Sequence, residues 1–266
     1  MKRTYVLGAI VIAGAVVAAA ANLTAQQQPA AGGQAPAAGR GGGPALGKIE
    51  KVADNLYFIF GAGGNTAVYV GEKGVILVDT KNPNNGQGIL DQVKTVTDKP
   101  ITHIINTHTH GDHNGSNIFF PASAEIVTQE NTSANMQKMA VFQEAANKHG
   151  LPDRTFKDKL TLLGGKDAID LYYFGPAHTN GDAFVVFRTA RVVHAGDAFA
   201  NKGQPLIDRN NGGSGIAYPD TIRKAASGIK NVDVVINGHS PVTMKFQDLV
   251  DFGEFNRLFL EHARAS

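Results

Sequence analysis

Three histidines and one aspartate fall within six positions of the chain, directly after an apolar stretch of the kind that forms buried strands. They are His108, His110, Asp112 and His113. With nine histidines in 266 residues, so dense a cluster is far from the chance expectation. Imidazole and carboxylate groups together are suitable ligands for a borderline divalent cation such as Zn²⁺. The cluster therefore predicts a metal-binding loop.

One tetrahedral ion cannot use all four side chains, because adjacent side chains in a turn point in different directions. Two ions are the natural interpretation, with His108 and His110 facing one ion and Asp112 and His113 facing the other. Three further candidate ligands stand just after other apolar strands: His178, Asp197 and His239. The carboxyl ends of strands are where sheet proteins collect reactive side chains, so we expect all seven residues to converge.

The elements that must position these residues are short apolar strands that alternate with helices. Val75–Val78 is a continuous apolar run, which is typical of a strand covered on both faces. Ile101–Ile105 is predicted to be a further strand, directly before the cluster. The pattern predicts an α/β sandwich with helices outside paired sheets. Helical spacing predicts one continuous helix over residues 130–149. The glycine-rich residues 61–65 predict a hairpin turn that could close over the site as a flap.

The closing helix is predicted to pack its apolar side against the core. That side consists of Phe246, Leu249, Phe252, Phe255 and Phe259. Spacing of this kind is typical of core packing, so these aromatic residues need no cofactor to explain them.

The first 47 residues have the composition of an export signal followed by a spacer. Lys2 and Arg3 precede an apolar run over residues 5–21 and small residues up to Ala25, which predicts a signal peptide over 1–25 and a periplasmic or secreted protein. An uncleaved membrane anchor stays open as an alternative, because 17 apolar residues are close to the length that spans a bilayer. Residues 26–47, rich in Gly, Ala, Pro and Gln, predict a flexible linker, and 48–266 a single folded domain.

Charge and cysteine content narrow the functional classes. The net charge of +2 equals the contribution of Lys2 and Arg3, so the remainder is near neutral, which argues against a nucleic-acid partner. The chain contains no Cys, which excludes disulfides, thiolate metal clusters and a thiol nucleophile.

In this order along the chain, the motifs resemble those of the metallo-β-lactamase superfamily, and the resemblance covers nearly all of residues 48–266. It includes the apolar strand that ends at Asp79. The resemblance implies a four-layer αββα sandwich and two zinc ions per chain. It implies that Asp79 braces the metal loop and Asp197 bridges the two ions. It assigns the other ligands as His108, His110 and His178 for the first ion, and Asp112, His113 and His239 for the second.

The function that this resemblance implies is an exported hydrolase of small molecules. Two divalent ions about 3.5 to 4 Å apart lower the pKa of a shared water toward about 7, so a metal-bound hydroxide can attack a carbonyl. Asp112 is the candidate catalytic residue that orients it. Lys202 and Arg209 are candidates for binding a substrate carboxylate. The oligomeric state stays open.

Three substrate and function classes remain open at this point. A β-lactam amide is the leading candidate, although the absence of Cys excludes the subclasses that place a thiolate where Asp197 stands. Asp197 favours the alternative, a thioester, lactone or other ester hydrolase similar to glyoxalase II. A noncatalytic metal-binding protein is the third class.

Overall fold

The computed structural model describes residues 44–265 of the chain. The predicted signal peptide and residues 26–43 of the predicted linker lie outside the described residues. Within residues 44–265, no helix has both the length and the apolar character needed to cross a membrane.

Seven strands form the first sheet and lie side by side in chain order. They are β1 (Ile49–Ala53), β2 (Leu56–Ile59), β3 (Thr66–Val70), β4 (Val75–Val78), β5 (Ile101–Ile105), β6 (Glu125–Gln129) and β7 (Arg154–Phe156). β1 to β4 pair antiparallel, and β4 to β7 pair parallel. The carboxyl ends of β4 and β5 therefore lie at one edge, which brings Asp79 next to the loop that carries His108. The turn at residues 71–74, between β3 and β4, lies at the opposite edge.

The second sheet has six strands in the order β13-β12-β11-β10-β9-β8. They are β8 (Lys159–Leu162), β9 (Ile169–Tyr173), β10 (Ala183–Phe187), β11 (Val192–His194), β12 (Val234–Ile236) and β13 (Met244–Lys245). β11 and β12 pair parallel, whereas the other neighbours pair antiparallel. Because β11 and β12 run the same way, the loops that follow them carry Asp197 and His239 to the same edge.

The structure describes six α-helices within residues 44–265. They are α1 (Gly86–Lys94), α2 (Gly111–Asn114), α3 (Glu130–Met136), α4 (Ala140–Gln143), α5 (Tyr218–Gly228) and α6 (Phe246–Ala265). Helix α1 packs on the outer face of the first sheet, and α5 and α6 pack on the outer face of the second. Short 3-10 helices occur at Asn117–Phe119, Ala145–Gly150, Gly165–Asp167, Gly196–Phe199 and Arg209–Asn211.

Alternate residues of the central strands enter different apolar layers, as the period of two in a strand requires. In β4, Ile76 and Val78 pack into the layer between the sheets, whereas Val75 and Leu77 pack into the layer under α1. A third apolar layer joins the second sheet to α5 and α6. The four-layer αββα sandwich expected from the sequence is confirmed.

The single helix expected over residues 130–149 is wrong. The segment consists of α3, α4 and the 3-10 helix Ala145–Gly150, with extended backbone at Met139 and Glu144. Tertiary contacts override the helical spacing here. The Met139 sulfur accepts weak hydrogen bonds from Thr109 and Asn114, so the first break places it against the loop that carries the histidines.

The closing helix α6 confirms only part of the expected core. Leu249 and Phe252 are buried, but Phe255 is 46% exposed and Phe259 is 56% exposed. Among the described residues of α6, none beyond Asn256 is buried, because the helix extends past the layer that it covers. The expectation that Phe255 and Phe259 pack in the core is therefore wrong.

Two leucines that differ in burial provide a test of the core. Leu77 has no exposed surface, whereas Leu206 is 61% exposed. We expect Leu77→Ala to lower the free energy of unfolding by about 2 to 5 kcal/mol, because it removes buried methyl groups and leaves a cavity. Leu206→Ala, the matched control, should change it by less than about 0.5 kcal/mol. Urea unfolding of both variants measures the difference, and equal effects would contradict the layer assignment.

Candidate metal centre

The structure brings the seven sequence-predicted residues together at one edge of the sandwich as two clusters. The first contains His108 and His110 from the loop after β5, His178 from the loop after β9, and Asp197 from the 3-10 helix after β11. One ligand atom from each lies within 4.8 Å of all the others.

The second cluster contains Asp112 and His113 of α2 and His239 from the loop after β12, again with ligand atoms within 4.8 Å of one another. Asp197 lies between the two clusters. Its carboxylate oxygens are 3.7 Å from Nε2 of His178, 3.3 Å from Nε2 of His113 and 3.2 Å from Nε2 of His239. This position would allow Asp197 to serve both groups.

Burial and mutual repulsion lower the pKa of two histidines of the first cluster, His108 and His110. Burial lowers the pKa of His108 well below its usual value, and the neighbouring His113 and His110 lower it further. Burial and His178 likewise lower the pKa of His110. Neutral imidazoles keep a lone pair free to bind a metal ion.

Carboxylates have the opposite effect in the second cluster. Burial alone would lower the pKa of His113, but Asp197 and Asp79 outweigh it and hold the pKa well above its usual value. Burial would raise the pKa of Asp197, and His113 and His239 outweigh it and hold that pKa well below its usual value. A metal ion would take the place of the proton on His113, because ligands bind metals in their deprotonated form.

Two buried atoms of the first cluster have no hydrogen-bond partner within the described part of the chain. They are Nε2 of His108 and Oδ1 of Asp197. Buried polar atoms almost always have partners, so atoms of this kind need an explanation. A divalent cation would satisfy both, and the donor set of imidazole and carboxylate fits such an ion.

Asp79 braces the loop that carries the histidines. Its fully buried carboxylate accepts hydrogen bonds from the amide of Thr107 at 2.8 Å and from Oγ1 of Thr107 at 2.7 Å. It also lies 2.7 Å from Nδ1 of His113. With Nδ1 occupied, Nε2 of His113 is left facing Asp197 and His239.

Asp208 supports the first cluster in the same way and was not identified from the sequence. Its Oδ2 lies 2.6 Å from Nε2 of His110, which leaves Nδ1 of His110 toward His178. Burial would raise the pKa of Asp208, but bonds from His110 and Asn211 outweigh it and lower the pKa to about 2. A single aspartate in a loop, 98 residues from its partner, carries no spacing signal that could have revealed this contact.

The turn at residues 61–65 does not have the character of a free flap. The amide of Gly64 donates to the carbonyl of Asp112 at 2.9 Å, and the amide of Asn65 donates to the carbonyl of Gly238 at 2.7 Å. These bonds hold the turn, which was expected to form a flap, against the loops that carry the second cluster.

The family model of the metallo-beta-lactamase superfamily matches residues 60–239, a range that includes both clusters and Asp79. The chain belongs to the metallo-beta-lactamase superfamily. The recognition made from the motifs is confirmed, and the chain has the hydrolase fold of that superfamily with two groups of residues that could hold metal ions.

Several curated proteins are similar to this superfamily member. The uncharacterized protein YobT of Bacillus subtilis (strain 168) is 30% identical over 142 residues, which is 50% of this chain and 60% of that protein. The match thus spans less than two thirds of that relative. Metallo-beta-lactamase domain-containing protein 1 of Xenopus laevis is 28% identical over 195 residues, covering 69% of this chain and 73% of that protein. Metallo-beta-lactamase type 2 of Bacillus sp. (strain 170) is 24% identical over 177 residues, covering 64% of each.

Solved structures of the superfamily share the fold at low sequence identity. The DIM-1 metallo-beta-lactamase matches with a TM-score of 0.66 and 17% identity, covering 81% of this chain and 99% of that one. A metallo-beta-lactamase from Pontibacter korlensis matches with a TM-score of 0.64 and 18% identity, covering 80% and 99%. These matches support the sandwich architecture.

The structure does not bring the two candidate substrate-binding cations into either cluster of this metallo-beta-lactamase fold. Nζ of Lys202 lies 2.7 Å from Oδ1 of Asp248, so its charge is paired at the surface. Arg209 is exposed and lines a groove of about 630 Å³ between the loop at residues 204–216 and α6.

Replacing Asp208 by asparagine tests the support of the first cluster in this superfamily member. The amide keeps an oxygen that can accept the hydrogen bonds from Asn210 and Asn211 but loses the charge that faces His110. We expect metal affinity at the first cluster to fall by about 10-fold or more. Competition with a metal-binding dye measures it. Asp233→Asn, which removes a surface ion pair with Arg191, is the control, and equal affinities in both variants would contradict the role of Asp208.

Proposed function

We propose that this protein is a zinc-dependent hydrolase of small molecules that works outside the cytoplasm and holds two ions per chain. One observation carries the proposal. The carboxylate of Asp197 lies against ring nitrogens of both clusters, and the buried Nε2 of His108 has no hydrogen-bond partner among the described residues. Divalent ions bound there would supply Lewis acidity and a water of lowered pKa.

The protein's own residues position the reaction. His108 and His113 have no exposed surface, whereas the side chains of Asp112 and His239 are about one-third exposed. Substrate therefore approaches from the side of Asp112. Its Oδ2 is 3.5 Å from Nε2 of His239, and the carboxylate can accept a hydrogen bond from the attacking water and then its proton.

A β-lactam amide is the first candidate substrate, and similar proteins that are named metallo-beta-lactamases support it. A thioester, lactone or other ester is the second, and two features favour it. The group between the clusters is the carboxylate of Asp197, and the cation of Lys202 that could bind a substrate carboxylate is already paired with Asp248.

A substrate panel tests the reaction class. A chromogenic cephalosporin, a glutathione thioester and a lactone are offered to the full chain with added Zn²⁺, and again after treatment with a chelator. We expect chelator-sensitive hydrolysis of at least one compound, and its loss in His108→Ala. His149→Ala is the control, because His149 belongs to neither cluster. The ring of His149 forms hydrogen bonds with the backbone carbonyls of Ala146 and Ile118. Stoichiometric metal binding without hydrolysis of any compound would instead support a noncatalytic metal-binding protein.

Export is a separate part of the proposal, supported by the charged and apolar pattern of residues 1–25. Fractionation of producing cells, followed by sequencing of the amino terminus of the purified protein, tests it. We expect a chain shortened near Ala25 in the periplasm or medium. Recovery of the intact chain in the membrane fraction would indicate an anchor, and recovery in the cytoplasm would contradict export.

A further inference from the structure

Lys81 is a lysine with no exposed surface, which is rare because burial of an ammonium group is costly. Its Nζ donates hydrogen bonds to the carbonyl of Ile59 at 2.8 Å and to the carbonyl of Gly64 at 2.9 Å. The side chain starts two residues after Asp79, at a backbone φ of 65°. A fully buried lysine in a left-handed backbone conformation is unfavourable, and packing of the apolar core does not explain why it is present.

The two acceptors lie at the two ends of one turn. Ile59 is the last residue of β2, and Gly64 lies just before β3. The side chain of Lys81 therefore connects the two ends of the turn at residues 61–65 through its two hydrogen bonds.

That turn contacts the segments that carry every member of the second cluster. Gly64 donates to the carbonyl of Asp112 at 2.9 Å. A Cβ added at Gly64 would lie 2.2 to 2.6 Å from three ring atoms of His113, so the backbone lies directly against that imidazole. On the far side, Nδ2 of Asn65 donates to the carbonyls of Asn237 and Ser240 at 2.9 and 2.8 Å, which flank His239.

Different groups support the first cluster. Asp208 orients His110, and the carbonyl of Leu206 accepts from Nδ1 of His178 at 2.8 Å. Both belong to the loop after Asp197 rather than to the turn that Lys81 braces. Asp79 supports the loop that carries members of both clusters, and Asp197 contacts both clusters. The other supports of the two clusters are separate.

We propose that Lys81 is a positioning residue for the second metal site, where it holds the turn at residues 61–65 against Asp112, His113 and His239. This inference rests on the proposed function, because it assumes that the protein binds two ions. Loss of the lysine head group is expected to lower the affinity of the second cluster for its ion and to leave the affinity of the first cluster nearly unchanged. If Lys81 only stabilised the fold, its loss would weaken the binding of both ions equally.

The test is a stepwise metal titration of the full chain carrying Lys81→Met, which keeps the length of the side chain and removes its donors. Lys99→Met is the matched control, because Nζ of Lys99 also donates to a backbone carbonyl, that of Gly71, at the opposite edge of the sheet. Co²⁺ absorption and competition with a chelating dye give the two dissociation constants, and circular dichroism checks the fold. The constant that is lost in Asp112→Ala is assigned to the second cluster. We expect this constant to rise by at least about 10-fold in Lys81→Met.

The outcomes separate the two proposals. A wild-type protein that binds fewer than two ions would overturn the proposed function and this inference with it. Two ions in the wild type with equal constants in Lys81→Met, or equal weakening of both sites, would overturn the role of Lys81 alone. Should Lys81→Met not fold, Asn65→Ala decides with the same titration. Selective weakening of the second site would support the brace, and unchanged constants would refute it.

Discussion

Asparagine in place of Asp197 is expected to lower metal-dependent hydrolysis by at least about a thousand-fold. The carboxylate lies within 3.7 Å of ring nitrogens from both clusters, so the variant removes a negative charge from both at once. Metal ions contribute several kcal/mol of transition-state stabilisation, and about 1.4 kcal/mol corresponds to tenfold in rate. In the proposed function Asp197 is a ligand of both ions, so its loss should cost three or more powers of ten in rate.

The measurement is kcat/KM for the best compound of the panel, together with the metal content of the purified variant. Asp170→Asn is the control, because Asp170 is also a buried aspartate and its carboxylate pairs with Arg188 in the second sheet. We expect that control to retain both ions and most of the activity. Wild-type metal content and activity in Asp197→Asn would contradict the shared role of the carboxylate.

Removing the carboxylate of Asp79 is expected to lower the stability of the metal-free protein strongly. Asp79→Ala leaves the amide and hydroxyl of Thr107 and Nδ1 of His113 without their acceptor in a site closed to water. Removing one partner of a buried ionic network costs about 3 to 5 kcal/mol, because the remaining groups stay buried and unpaired. We expect the free energy of unfolding of the metal-free protein to fall by that amount.

Urea unfolding in the presence of a chelator measures this effect without any contribution from bound metal. The control is Asp54→Ala, which removes an exposed ion pair with Lys51 and should leave the unfolding midpoint unchanged. An Asp79→Ala protein as stable as the control would show that the loop after β5 does not depend on this carboxylate.

The convergence of the seven residues could be predicted because each one follows a strand. In the second sheet β9, β11 and β12 run in the same direction, so His178, Asp197 and His239, which follow their carboxyl ends, could be expected to lie at one edge. The division into two clusters was also predictable from side-chain directions in the loop. The roles of these residues as metal ligands remain predictions.

The supports of the site could not be predicted in the same way. Asp208 contacts a histidine 98 residues away, and Lys81 donates to two backbone carbonyls of an earlier turn. Nothing in their local sequence distinguishes these two residues from surface residues. The break between α3 and α4 and the exposure of Phe259 could not be predicted from the sequence either. Periodicity reports which side of an element is apolar, but it does not report where the neighbouring layer ends.

The direction of the strands has a consequence for engineering this protein. Both clusters lie at the edge where β4, β5, β11 and β12 end, whereas the turn at residues 71–74 lies at the opposite edge of the first sheet. Glu72 and Lys73 at its tip are exposed. Exposed turns of this kind tolerate added sequence. The turn is therefore a suitable place for an affinity tag or a surface attachment point, since such an addition would leave the exposed side of the two clusters accessible to solution.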